Sequence, residues 1–338
     1  MPRRAEPESP VVSAFLSRPL LRLAAPGGKR ARLMVLTYHR VLERPDPLLP
    51  SEPDAERFAA QMAVLATHCS VLPLPEAARR LREGTLPPAA ACITFDDGYR
   101  NNLDVATPVL QRYGLPATVF VMQNAIEAGI MWNDLVIEAV RRAPATVDLS
   151  TVGLGNVSLP PAAGRAPFVS RVLEAFKYRS LQQRWHDARD LYHRIAAEPA
   201  PRLMLDESEL RRLAQAGIDI GGHTVNHPIL ATLPEEEARR EIVDGAEWLA
   251  RVVGRRPVSF AYPNGRPGRD FDAIHMQIAR KAGFELAVST EWNCATRESD
   301  PYALPRVSFC DSPASRLGWR ITRSYLGSWR HPRQSSGP

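Results

Sequence analysis

This chain of 338 residues has no Cys-x-x-Cys pair, no repeat of fixed period and no run approaching the ~20 apolar residues of a membrane-spanning helix. Each absence removes a class. Cys69, Cys92, Cys294 and Cys310 sit singly in or beside apolar segments, which argues against a disulfide scaffold and for buried free thiols in a reducing compartment. Residues 11–17 are apolar, but Arg18, Pro19 and Arg22 interrupt the run, so no secretion signal is read and a cytoplasmic protein is expected.

A basic body is also missing. The formal charge is +6, yet residues 1–32 carry seven basic against two acidic side chains, and residues 312–338 carry five arginines and no acid. The residues between them therefore sum to −4. A mildly acidic body with basic ends is not the footprint of a nucleic-acid-binding domain. It fits solvated ends, or weak peripheral adhesion to anionic lipid headgroups through the Leu20-Leu21-Arg22-Leu23 segment or through Trp319, Tyr325 and Trp329. The expected organisation is a basic, partly flexible segment at 1–28, one domain at 29–311 and a basic tail at 312–338. Oligomeric state is not legible.

What is present is alternation. Short apolar runs bounded by turn signals at 33–38, 71–74, 91–95, 117–122, 218–221, 258–262 and 286–289 predict seven strands. Helical spacing fills 54–67, 75–82, 101–113, 207–216, 234–253 and 271–282, so a mostly parallel α/β sheet is expected. Asp206 with Glu209 predicts a capping box, and Gly114, Gly217 and Gly283 mark helix ends. Residues 130–205 break the pattern with a Gly/Pro-rich loop at 152–167 and a long arginine-dense helix over 168–197. They read as a helical insertion in the main domain.

The chemistry gathers at strand ends. Asp96 and Asp97 stand side by side where an apolar strand gives way to Gly98. Two such carboxylates repel unless a cation or a shared proton separates them, so the pair is a metal site, an acid/base site, both, or only a turn. After a second strand come His223 and His227, at a spacing that lets both imidazoles reach one point. In parallel α/β folds, sites collect at the C-terminal ends of strands.

Thr94-Phe95-Asp96-Asp97-Gly98, His223-Thr224-Val225-Asn226-His227 and Phe260-Ala261-Tyr262-Pro263-Asn264-Gly265 resemble, in order, the first three motifs of the polysaccharide deacetylases with the NodB homology domain, carbohydrate esterase family 4. The resemblance covers about residues 30 to 310. It implies a distorted (β/α)7 TIM-like barrel and a metal-dependent hydrolase that removes N-acetyl groups from amino sugars of a polysaccharide or glycolipid precursor. Asp97, His223 and His227 match the ligands of a divalent ion, zinc foremost, with cobalt, nickel, manganese and iron also suited. Asp96 matches the catalytic base, and the backbone N–H of Asn264 occupies the oxyanion-donor position.

Two departures from the family pattern matter. The commonest acid is a histidine late in the domain, and here only His331 follows His275. His39, ending the first strand, instead resembles the acid of the poly-N-acetylglucosamine deacetylase branch. Ala261 falls where many members carry an arginine that orients the base, a charge that Arg306 is expected to supply from another loop. Trp132 and Asn133 are candidates for lining a sugar face. The other readings are an amide hydrolase for a non-sugar substrate and a carbohydrate-binding module without turnover.

Overall fold

A computed structural model describes residues 18–150, 153–177 and 179–327. Seven parallel strands form its sheet: β1 (Met34–Tyr38), β2 (Ser70–Val71), β3 (Ala90–Phe95), β4 (Thr118–Val121), β7 (Asp219–Gly222), β8 (Ser259–Ala261) and β9 (Leu286–Val288). The order is β1-β3-β4-β7-β8-β9, with β2 pairing with the start of β3. Every residue of β1 and of β3 is buried, as expected of parallel strands covered on both faces.

Residues 304–307 join the two ends of this curled sheet. Leu304 exchanges hydrogen bonds with β9 through Ala287 O and Ser289 N, and Val307 does so with β1 through Val35 O and Thr37 N, at 2.8–2.9 Å. Register makes the strands finish level: Tyr38 pairs with Phe95, Val121 with Gly222, and Gly222 with Phe260. The residues that follow these strands thus emerge on one rim.

Helices α2 (Ala55–His68), α3 (Leu74–Glu83), α4 (Thr107–Tyr113), α9 (Glu207–Gln215), α10 (Glu235–Val253) and α11 (Ala273–Lys281) alternate with the strands, close to their expected bounds. The Asp206 capping box forms, with Glu209 N donating at 2.8 Å and Asp206 N at 3.0 Å. The residues before α4 adopt a π-helical turn, Asn102–Ala106, which sets Asn102 Nδ2 to donate to His39 O at 3.0 Å. All four cysteines are free, and burial pushes the Cys69 and Cys294 thiols up to about 12.

The 130–205 region is less purely helical than expected. α5 (Gln123–Ala128) and α6 (Trp132–Arg142) precede a hairpin of β5 (Thr146–Leu149) and β6 (Gly155–Ser158), so part of the expected loop is strand. The long helix is two, α7 (Ala166–Lys177) and α8 (Leu181–Ile195), because Ser180 caps α8 by accepting from Gln183 N. Together these elements bury their own apolar cluster, centred on Val136, Val172, Phe176 and Tyr192.

The ends also need correction. α1 (Arg18–Ala24) and α12 (Ala314–Tyr325) form at positions assigned to a flexible segment and a tail. Leu21, Leu317, Ile321 and Tyr325 lie in the main core, and Tyr325 Oη donates to Ala90 O at 2.7 Å. The arginines of α12 drew attention to its charge, while its apolar residues at every fourth position face the barrel. Leu21 and Tyr325 are therefore withdrawn from any lipid contact, whereas Leu23 and Trp319 are exposed. Trp329 and His331 lie outside the described residues. No described helix is long and apolar enough to cross a membrane.

If α12 completes the core, Leu317→Ala and Ile321→Ala each destabilise the protein by about 2–5 kcal/mol in urea unfolding, while Trp319→Ala stays within about 0.5 kcal/mol. Near-neutral core variants would return α12 to the status of a tail.

Candidate active site

Asp96 and Asp97 follow β3 directly, and Asp96 N donates to Tyr38 O at 2.9 Å, so His39 leaves the barrel beside them. The chain then turns sharply. Asp97 has φ 77°, and Thr224, His227 and Asn264 also sit at φ between 57° and 68°. For a β-branched residue such as Thr224 this is strained backbone, which persists only when the surroundings fix it. They do. Thr224 Oγ1 accepts from His227 N at 3.0 Å, and Glu241 on α10 accepts from Val225 N at 3.0 Å and Asn226 N at 2.8 Å. Gly245 lets α10 come that close, since a Cβ there would meet the Thr224 carbonyl carbon at 3.0 Å.

His223 Nδ1 donates to Ala261 O at 2.7 Å, which leaves Nε2 as a lone-pair donor. His223 Nε2 and His227 Nε2 each lie 3.5 Å from Asp97 Oδ1. The three donor atoms lie within 4.8 Å of one another, and Asp97 Oδ1 is buried with no hydrogen-bond partner. Burial, helped by the adjacent His223, pushes the His227 pKa down to about 4, so its imidazole is neutral near pH 7. Burial would raise Asp97, but the adjacent His223, with His227 and His39, outweighs it and holds its carboxyl well below the usual range. One carboxylate and two imidazoles converging beside an orphaned buried oxygen fit a divalent cation.

Asp96 is held differently. Arg306, 1 % exposed, grips it bidentately, with Nη1 and Nη2 donating to Oδ1 and Oδ2 at 2.7 Å each. Arg306 Nε donates to Ser289 O at 2.9 Å and Nη1 also reaches Thr94 Oγ1 at 3.2 Å, so the guanidinium is fixed in one orientation. Burial works to raise the Asp96 pKa, and the Arg306 cation reverses it, leaving the carboxyl lowered and ionised. Two adjacent aspartates thus face different partners, imidazoles for one and a guanidinium for the other.

His39 and Asn264 complete the cleft. His39 is exposed and lines the cleft, with protein atoms packed around it on its other sides. That packing pulls its pKa down, while Asp97, Asp96 and Glu52 pull it up by more, so the net shift is upward. Asn264 is exposed, its carbonyl accepts from Thr290 Oγ1 at 2.5 Å, and its N–H has no acceptor among the described residues. The cleft encloses about 1210 Å³. Trp132 and Asn133 line it too, but Trp132 stacks on Phe176 and lies under the Arg184 guanidinium.

Every residue expected at the site reaches this cleft. Glu241 and Arg184 escaped sequence reasoning, because neither lies near a motif and each is one charge among many on an amphipathic helix. Thr94 was legible as part of its motif, though not its bond to Arg306.

A trio of side chains suited to a cation beside an arginine-held carboxylate, on the C-terminal rim of a parallel barrel, fits an α/β-barrel hydrolase site. The polysaccharide deacetylase family model matches residues 83–287, and the chain belongs to that family. It is 23% identical over 281 residues to YxkH of Bacillus subtilis (strain 168), a protein assigned to the polysaccharide deacetylases, covering 82% of this chain and 72% of that one. In fold it is similar to the deacetylase PplD of Streptococcus pyogenes, solved with acetate, at TM-score 0.59 and 18% identity over 86% of this chain and 98% of that one. IcaB of Ammonifex degensii matches at TM-score 0.56 and 19% identity, over 89% and 98%.

Arg306→Gln leaves burial of Asp96 unopposed, so its carboxylate protonates at higher pH. The acid limb of the pH–rate profile for N-acetyl hydrolysis moves up by about 1–3 units, with Arg306→Lys intermediate. An unmoved limb would mean that Arg306 does not set the ionisation of Asp96.

Proposed function

We propose that this chain is a metal-dependent N-deacetylase acting on amino sugars of a polysaccharide or glycolipid precursor. The observation that carries this reading is the pairing of a cation-binding trio, Asp97, His223 and His227, with the adjacent carboxylate of Asp96 clamped by Arg306. Hydrolysis of an amide needs an activated water, stabilisation of an oxyanion and a proton for the departing amine. A divalent ion held by the trio supplies Lewis-acid polarisation and lowers the pKa of water when bound.

The chain's own groups supply the rest. Asp96, kept ionised by Arg306, accepts the proton from the attacking water as its oxygen bonds to the acetyl carbon. The unpaired N–H of Asn264 donates to the oxyanion that forms there. His39 then gives a proton to the sugar nitrogen as the carbon–nitrogen bond breaks, releasing acetate and a free amine. Its upward-shifted pKa keeps it protonated further toward neutral pH than an ordinary imidazole. Arg306 takes the place of the motif arginine absent at Ala261 and orients the base without touching substrate.

Asp96→Asn is expected to keep bound metal while losing about 10²–10⁴-fold in acetate release, whereas His223→Ala loses both metal and turnover. Metal content by elemental analysis and acetate release from N-acetylglucosamine oligomers are the readouts. Wild-type turnover in Asp96→Asn would remove Asp96 as the base. His39→Ala slows substrates with poor leaving amines most, and a small uniform effect would demote His39 to a structural residue.

A further inference from the structure

Three arginines among the described residues are buried, and two of them are compensated. Arg306 pairs with Asp96, and Arg165 donates to the carbonyls of Pro160, Val140 and Ala143 at 2.8–2.9 Å. Arg184, on α8 of the insertion, is 8 % exposed and has neither kind of partner. Among the described residues its side chain has no hydrogen-bond or ion-pair partner, and its Nε is buried without an acceptor. Glu174 and Glu291 line the same cleft but do not pair with it. Removing a guanidinium from water without a counter-charge is unfavourable, and burial accordingly lowers its pKa.

The surroundings tell what would compensate it. Arg184 lines the cleft that holds Asp96 and Asp97, and its guanidinium lies 5.4 Å from the centre of the Trp132 ring. An arginine so placed keeps its planar fork oriented and offers paired donors to an oxyanion. Next to Trp132, Asn133 Oδ1 is buried without a donor and offers an acceptor for a sugar hydroxyl or amide N–H. A cation and an acceptor, both unfilled, thus stand on one wall of the cleft.

We propose that Arg184 binds an anionic group, a carboxylate or a phosphate ester, carried by the substrate beside its N-acetylated sugar. The proposal rests on the deacetylase reading for the identity of the ligand as a glycan, and on the Arg184 geometry for its charge. The insertion then serves as the part of the fold that selects acidic over neutral substrates, while the barrel performs the hydrolysis.

The test compares three probes on the metal-loaded enzyme: neutral chitotetraose, a hyaluronan tetrasaccharide carrying carboxylates, and N-acetylglucosamine 1-phosphate. Acetate release is measured with the wild type, and equilibrium binding with Asp96→Asn. The wild-type site should favour one acidic probe over chitotetraose by at least about tenfold, with the preference shrinking as salt rises, and the favoured probe tells carboxylate from phosphate. Arg184→Gln should weaken that acidic probe by on the order of 10- to 100-fold more than it weakens chitotetraose, with Arg184→Lys between. Equal treatment of acidic and neutral probes by the wild-type site, or equal losses for all probes in Arg184→Gln, would overturn the proposal. Should Arg184→Gln fail to fold, the wild-type preference and its salt dependence decide alone. An Arg184-dependent preference in binding without acetate release from any probe would leave the anion subsite standing and remove the deacetylase reading.

Discussion

The Arg306 guanidinium is the contact on which both the barrel and its site depend. It sits in the segment that joins β9 to β1, and its donors are divided among Ser289 O, Thr94 Oγ1 and both oxygens of Asp96. Sheet closure and the placement of a buried carboxylate are therefore one arrangement. A buried charge pair of this kind is stable only with its remaining donors satisfied, and the strand ends supply the acceptors. The same logic covers the strained turns: Thr224 and His227 hold left-handed backbone because α10, through Glu241, occupies the N–H groups of the turn between them.

Division of labour follows from this framework. The barrel carries groups with hydrolytic chemistry on one level rim, where parallel register brings residues far apart in sequence together. The 132–195 region packs around its own apolar cluster and contributes Trp132, Asn133 and Arg184 to the cleft wall. A rigid rim with a separately packed wall allows the chemistry to stay constant while the surface that meets the substrate varies.

Much of the fold was legible because parallel strands, buried on both faces, read as continuous apolar runs. All seven were found, most of them trimmed at their ends, and β2 departed furthest, to Ser70–Val71, as Leu74 begins α3. The site motifs were equally visible, since Asp96-Asp97, His223/His227 and Asn264 each follow such a run. Elsewhere composition misled. The Gly/Pro-rich stretch hides β6, whose alternation of half-buried and exposed residues is weak, and Ser180 divides a periodic stretch into two helices by capping alone. At α12 the arginine count concealed an apolar stripe that packs into the core.

The sequence by itself determined which candidate residues stand at the strand ends, because the aspartate pair, the histidine pair and Asn264 each follow an apolar run that ends in turn residues. It also determined the seven strands of the main sheet, through patterns that are local in the chain. Only the tertiary structure decided which partner each group meets. Asp96 and Arg306 are 210 positions apart, and Arg184 is left without a hydrogen-bonding or ion-pair partner among the described residues only when the whole cleft is assembled around it. Pairing and its absence are properties of distance in space, which barrel closure and the packing of the insertion create and which no local pattern encodes.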